Sequence, residues 1–270
     1  MRWGGGLACG RLGAVTDLLP LANRIADVSG VVGVVLGGSR ARGTADARSD
    51  TDIGVYRRGE MELSALREIA AEYPGSTVTA PGEWGPWVDG GAWLATPGSK
   101  TDLLWRDLDR VTAILAEAHQ GVVRCERQVG HPLGFFSYAY LAELATAVVL
   151  VDRCDTLASL RSALAPYPPA LAAAIEREYG FEARFSVDNA AVPAARGDRF
   201  SATGFLFRGL GCLVHVLHAR AGAWLATEKN AVRSTAQLSC APTDFAARVE
   251  HVLAAADVAA AQDLLTECRL

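Results

Sequence analysis

Lysine is almost missing from this chain of 270 residues. Lys100 and Lys229 are the two present, and the other 24 of its 26 basic residues are arginine. No stretch of basic residues gathers into a patch, and the net charge is -4. The balance is even along the chain: residues 1–118 carry 12 basic and 15 acidic groups, and the remainder carries 14 and 15. Tight, sequence-independent binding to nucleic acid draws on many phosphate contacts, so that class of partner is disfavoured. Beside the high alanine content, the shortage of lysine reads as genome composition rather than chemistry.

Clustered cysteine is missing too. The six cysteines, Cys9, Cys125, Cys154, Cys212, Cys240 and Cys268, form no CxxC pair and have no histidine at ligand spacing. That excludes a zinc site of the usual spacing and suggests reduced, mostly buried thiols in a cytosolic protein. No apolar run approaches the roughly 18 residues of a membrane span. "TAVVLV" is too short and is expected to continue a helix. "GGLACG" near the start lacks the preceding apolar stretch of ~7–15 residues that an export signal needs. A cytoplasmic location is expected.

What is present is a packed globular composition, half hydrophobic and 21% charged. Helical spacing of Leu18, Leu19, Leu21 and Ile25 predicts a helix over residues 14–28. It leads into the apolar run Val31-Val32-Gly33-Val34-Val35-Leu36, a buried-strand pattern, broken by Gly37-Gly38-Ser39. A short helix is expected over residues 40–45 with Ser39 near its start. Further strands are expected over 50–56, 92–95 and 100–106, with helices over 61–72 and 107–119. Asp107 and Asp109 suit the opening turn of the second helix. Residues 1–120 therefore read as a mixed α/β domain on a small sheet. Residues 121–270 read as an all-helical bundle, with helices over about 136–150, 157–165, 169–191, 199–225, 243–255 and 258–268. The whole is an α+β chain of two domains.

The densest signal is "GGSRARGTADARSDTDI". A strand, a Gly-Ser turn and a short helix offer backbone N–H groups and a hydroxyl to an anion. Asp50 and Asp52 follow at alternate positions of the next strand and so share a face. Two carboxylates side by side repel unless a cation lies between them, and hard oxygen ligands suit Mg²⁺ bridging phosphate oxygens. Together these are the parts of phosphoryl or nucleotidyl transfer.

On these residues the chain resembles the nucleotidyltransferase superfamily of DNA polymerase beta and of the kanamycin, streptomycin and lincosamide nucleotidyltransferases. The shared signature is Gly38-Ser39, ten intervening residues and Asp50-Thr51-Asp52, with a third carboxylate on a later strand supplied by Asp102 in "KTDLLWRD". The resemblance implies an N-terminal nucleotidyltransferase domain and, in architecture only, a helical substrate-binding domain. It implies Gly38 and Ser39 on the triphosphate of ATP or another NTP. It implies Asp50 and Asp52 on two Mg²⁺ ions, with Asp102 on the catalytic one and as a candidate base. Arg40 and Arg42 are candidate phosphate clamps or a solvated helix face, Lys229 of the second half a candidate triphosphate contact, and Glu143 a candidate general base of the kanamycin type. His131 in "GHPLGF" is a candidate cleft residue. Trp84, Trp87 and Trp93 either pack or stack on a nucleobase or an aglycone.

The expected activity is Mg²⁺-dependent transfer of a nucleoside monophosphate, AMP from ATP, to a hydroxyl of a small molecule such as an aminoglycoside or lincosamide, hence antibiotic resistance. The alternatives are modification of a protein or tRNA in a toxin–antitoxin system, or a non-catalytic binding protein that keeps the fold. The acceptor and the oligomeric state are not legible.

Overall fold

The computed structural model describes residues 6–46, 48–96 and 99–270, with side chains from residue 16 onward and without that of Ser99. The helix α1 (Gly6–Ala26) leads into β1 (Val31–Leu36), the short helix α2 (Gly38–Arg42) and β2 (Thr51–Arg57). Helix α3 (Leu63–Ala71), strands β3 (Thr77–Val78), β4 (Gly91–Thr96) and β5 (Ser99–Asp107), and helix α4 (Leu108–His119) follow. Strands β6 (Cys125–Glu126) and β7 (Phe135–Phe136) pair as a short ribbon. Then come α5 (Ala139–Thr146), β8 (Val148–Asp152) and α6 (Thr156–Ala163). The chain ends with α7 (Pro169–Asn189), α8 (Ala191–Ala195), α9 (Arg199–Arg220), α10 (Ala231–Thr235), α11 (Phe245–Ala255) and α12 (Val258–Glu267).

The protein is thus α+β, with a small sheet followed by a largely helical C-terminal region. The described sheet has the order β3-β4-β5-β2-β1-β8; β2 and β5 run parallel and the other pairs antiparallel. Alternation along the strands sets its two faces. Ile53 and Val55 of β2 and Leu103 and Trp105 of β5 point into a core shared with Leu21, Ile25, Leu66 and Ile69 of α1 and α3. The intervening residues, Asp52 and Gly54 on β2 and Asp102 and Arg106 on β5, belong to the opposite face.

One expected element is overturned. The helix anticipated over 136–150 ends at Thr146, and "VVLVD" becomes β8. Its β-branched residues suit a strand, and β1 offers a free edge on which Val148, Val149, Val151 and Asp152 pair with Leu36, Val35, Val34 and Gly33. Asp152 then opens α6 by accepting from the N–H groups of Thr156 (3.0 Å) and Ala158 (2.9 Å).

By contacts the chain forms two compact units that it crosses between more than once. The first gathers the chain up to Leu115 with Arg127–Gly130 and Tyr140–Ala165; the second gathers Ala116–Glu126, His131–Ala139 and Pro166–Leu270. In the second, α7 and α9 pack along each other. Among the described helices α9 is the one long and apolar enough to cross a membrane. Here Ala202, Leu206, Leu210, Leu213, Val216 and Leu217 are its contribution to the core of that unit. The described cysteines are free thiols. Cys212 and Cys268 are buried, but Cys154 and Cys240 are exposed, so the expectation of mostly buried thiols holds for only part of them. The side chain of Cys9 lies outside the described residues.

The second unit buries a neutral histidine. His215 Nδ1 lies 2.8 Å from the Tyr138 hydroxyl, and its ring stacks on Phe136 at 3.7 Å between centroids. Burial, assisted by the nearby charges of His218 and Arg208, pushes its pKa from an ordinary 6.5 down to about 3. Between those values the unfolded chain holds a proton that the folded chain refuses. The contribution of His215 to stability is therefore complete above about pH 6.5 and is lost as the pH falls towards 3, at up to about 1.4 kcal/mol per pH unit. Urea unfolding at pH 7.5 and pH 5 should show this loss, and His215→Asn should shrink the pH slope by about one proton.

Candidate active site

Three local decisions build the site. Gly37 continues the ladder between β1 and β2, its N–H donating to the Asp52 carbonyl at 2.8 Å. Gly38 then turns the chain into α2 with a φ of +61°, and a Cβ there would fall on Oδ2 of Asp52. Only glycine combines that backbone angle with so close an approach. The turn therefore rests directly against the carboxylate of Asp52.

The parallel pairing of β2 with β5 does the rest. Its register sets Asp52 opposite Asp102, so two carboxylates that are distant in sequence lie on neighbouring strands of one face. Asp102 is largely covered, with 19% of its side chain exposed. Its Oδ1 is buried without a hydrogen bond of good geometry. The nearest cation is Lys100 Nζ, 3.2 Å from Oδ1 and 3.3 Å from Oδ2. An orphaned carboxylate oxygen facing a second carboxylate suits a cation.

Asp50 lies one residue before β2 and is exposed. The loop that carries it is tied down by Arg40, whose guanidinium donates to the carbonyls of Ser49 (2.7 Å) and Asp50 (3.2 Å). Arg40 is thus committed to the backbone and not to a phosphate. Ser39 is half-buried in the first turn of α2, and Arg42 ends that helix exposed.

Among the described residues no three His, Cys, Asp or Glu side chains converge as a metal cluster. Mg²⁺ uses one or two carboxylates and completes its shell with water and substrate phosphates. Asp52 and Asp102, with Asp50 on the adjoining loop, fit such an ion.

Glu143 has other work. Both of its oxygens are held by the buried Arg106, at 2.6 Å from Nε and 2.9 Å from Nη2. Arg106 also donates to the carbonyls of Trp105 (2.8 Å) and Val88 (3.2 Å) and lies over the Tyr140 ring. Arg106 is four residues beyond Asp102 on β5, about 13 Å along the strand. The helix α5 thereby closes over the far end of the face, and Glu143, expected as a candidate general base, has both oxygens engaged by Arg106. The expectation that Asp107 opens α4 is met: its Oδ1 accepts from the N–H groups of Asp109 (3.0 Å) and Arg110 (3.1 Å).

In the second unit His131 Nδ1 lies 3.1 Å from Glu228 Oε1, and the exposed Lys229 is the next residue. Burial pushes the Glu228 carboxyl up, but the hydrogen bond from His131, its own backbone N–H and the charges of His131 and Lys229 together outweigh it and leave the group below its ordinary range.

Of the three tryptophans, Trp84 and Trp93 stack at 4.8 Å, 24° from parallel. The carbonyl of Trp87 accepts from the Tyr140 hydroxyl. The sequence left Trp93 open between packing and stacking on a ligand, without a partner in the site. The pairing of β4 with β5 sets it opposite Asp102. Nor did sequence reasoning find Arg106 as the partner of Glu143 or Lys100 as the neighbour of Asp102. The alternation of charged residues in "KTDLLWRD" was the available signal, since Lys100, Asp102 and Arg106 are spaced to share a face.

Residues 21–74, from within α1 to just beyond α3, match the family model described as a nucleotidyltransferase domain. That segment, which holds Gly38, Ser39, Asp50 and Asp52, is similar to nucleotidyltransferase domains. No curated protein matches it. Among solved structures similar to it is a nucleotidyltransferase-like protein from Exiguobacterium sibiricum, at 11% identity and a TM-score of 0.45, covering 94% of this chain and 75% of that one.

Proposed function

We propose that the protein transfers a nucleoside monophosphate, AMP from ATP, to a hydroxyl of a small molecule, with aminoglycosides and lincosamides as the acceptor classes to test first. One observation carries the reading: Asp52 backs the glycine turn while standing in register with Asp102, whose Oδ1 lacks a hydrogen bond. A glycine turn beside two carboxylates set opposite each other is the equipment for an in-line displacement at the α-phosphorus once a divalent ion and a triphosphate are bound.

In this reading the Gly37–Ser39 turn and Arg42 receive the β- and γ-phosphates. Asp52 and Asp102 would hold the divalent ion, with Asp50 as the third carboxylate; when bound, the ion neutralises charge on the phosphates as the leaving pyrophosphate departs. The acceptor oxygen bonds to the α-phosphorus, the bond to pyrophosphate breaks, and the acceptor proton passes to Asp102. Glu143 stays outside this path because Arg106 occupies both its oxygens. The cytoplasm, with its nucleotide pool, is assigned as the location. The even charge along the chain disfavours tRNA as acceptor.

ATP binding should be weakened at least about a hundredfold when EDTA replaces Mg²⁺, because the triphosphate would then meet bare carboxylates. Calorimetry in the two buffers measures it, and equal affinity overturns the reading. Labelled NTPs with a panel of acceptors, read by pyrophosphate release, test the transfer itself.

A further inference from the structure

We propose that the exposed part of Trp93, with the side chain of Lys100 moved aside, seats a ring of the acceptor, and that this acceptor is neutral or anionic at that point rather than a polycation. The inference rests on the transfer reading above and narrows its acceptor class.

The argument begins with a row across the sheet. Gly37 bonds to Asp52, Asp52 stands opposite Asp102, and Asp102 stands opposite Trp93. Turn, carboxylates and indole therefore lie in sequence on one face, about 4.8 Å apart per strand. In an in-line displacement the entering and leaving oxygens lie on opposite sides of phosphorus. With the leaving phosphates over the turn, the entering oxygen comes from the β4 side, where Trp93 stands.

Trp93 is built as a platform. One face is backed by Trp84, whose ring covers Gly91 so closely that a Cβ there would lie 2.6 Å from Cζ3. The Trp84 carbonyl accepts from Gln128 Nε2 at 2.7 Å, which fixes the backing wall. Yet Trp93 itself remains 43% exposed. Two residues further along β4 comes Ala95, small and exposed, paired across the strands with Lys100. Lys100 Nζ lies over the Trp93 ring at 5.9 Å from its centroid. Ala95, Trp93 and Lys100 thus border one exposed patch that ends at Asp102. A planar heterocycle or the apolar face of a sugar fits against an indole. The ammonium of Lys100, released from Asp102 once that carboxylate holds the divalent ion, repels a polycation there and favours a neutral or anionic group.

The test measures binding without turnover, on the full chain with Mg²⁺ and a non-hydrolysable methylene analogue of ATP. The probes are p-nitrophenyl glucoside, a neutral ring-bearing polyol, and kanamycin, a polycation. Calorimetry should show the glucoside binding more tightly than kanamycin. Trp93→Ala should weaken the glucoside about tenfold or more, the scale of one aromatic stack. Trp93→Phe should retain most of the affinity, and thermal melting of both variants separates a lost platform from a lost fold. Lys100→Glu should reverse the order of the two probes. Affinity for the ATP analogue should stay within about twofold in Trp93→Ala. The proposal is overturned by unchanged glucoside affinity in Trp93→Ala, by no glucoside binding to the unaltered protein, or by tighter binding of kanamycin to it. Loss of analogue affinity in Trp93→Ala also overturns it, since Trp93 would then seat the nucleobase. Failure of the transfer reading appears separately, as analogue binding that ignores Mg²⁺.

Discussion

Asp52→Asn and Asp102→Asn should each lower pyrophosphate release by about 10³-fold or more, roughly 4 kcal/mol of lost transition-state stabilisation. Neither should unfold the protein. Asn keeps the shape of Asp, so the fit of residue 52 against Gly38 survives, whereas Ala would confound the experiment with a cavity. Removing one charge also relieves the repulsion between carboxylates set opposite each other in the β2–β5 register, about 1 kcal/mol at solvent-like screening. The melting temperature of Asp52→Asn should therefore stay level or rise. Asp102→Asn releases Lys100 from its partner, so its melting temperature should be level at most. Calorimetric melting beside the kinetic assay checks both. A variant that loses activity together with several degrees of stability would make that aspartate structural.

The largest effect on stability should come from Gly38→Ala. An alanine there pays twice: about 1–2 kcal/mol for a left-handed backbone and a further 1–3 kcal/mol because its Cβ falls on the Asp52 carboxylate. A loss near 3 kcal/mol corresponds to roughly 6–12 °C in melting temperature for a protein of this size. Gly59→Ala is the control, with a φ of +66° and nothing within 4 Å of the added Cβ. It meets only the backbone cost, so the difference between the variants isolates the contact with Asp52. Gly38→Ala should also lose nucleotide binding, because the displaced carboxylate and the turn move together, while Gly59→Ala should keep it. Similar melting of the two variants would mean that the turn and Asp52 are not mechanically coupled.

Much of the first unit was legible because its signals are local. The apolar run before Gly37 and the alternation in "TDIGVY" and "KTDLLWRD" specify strands and their faces, since a strand repeats every two residues whatever it pairs with. The glycine pair specifies a turn because few other residues take a positive φ. The spacing from Gly38-Ser39 to Asp50-Thr51-Asp52 was enough to suggest the superfamily. Tertiary pairing decided the rest. "VVLVD" carries a pattern that a buried helix or a strand can satisfy, and the free edge of β1 selected the strand. Glu143 among apolar neighbours signalled a carboxylate in need of a partner. That the partner is Arg106, 37 residues away, follows from α5 closing over β5. The row of Asp52, Asp102 and Trp93 is a matter of register between β2, β5 and β4. Sequence alone determined which residues could face one another. Only the hydrogen-bonded pairing of strands distant in sequence, whose register no local pattern encodes, determined which ones do.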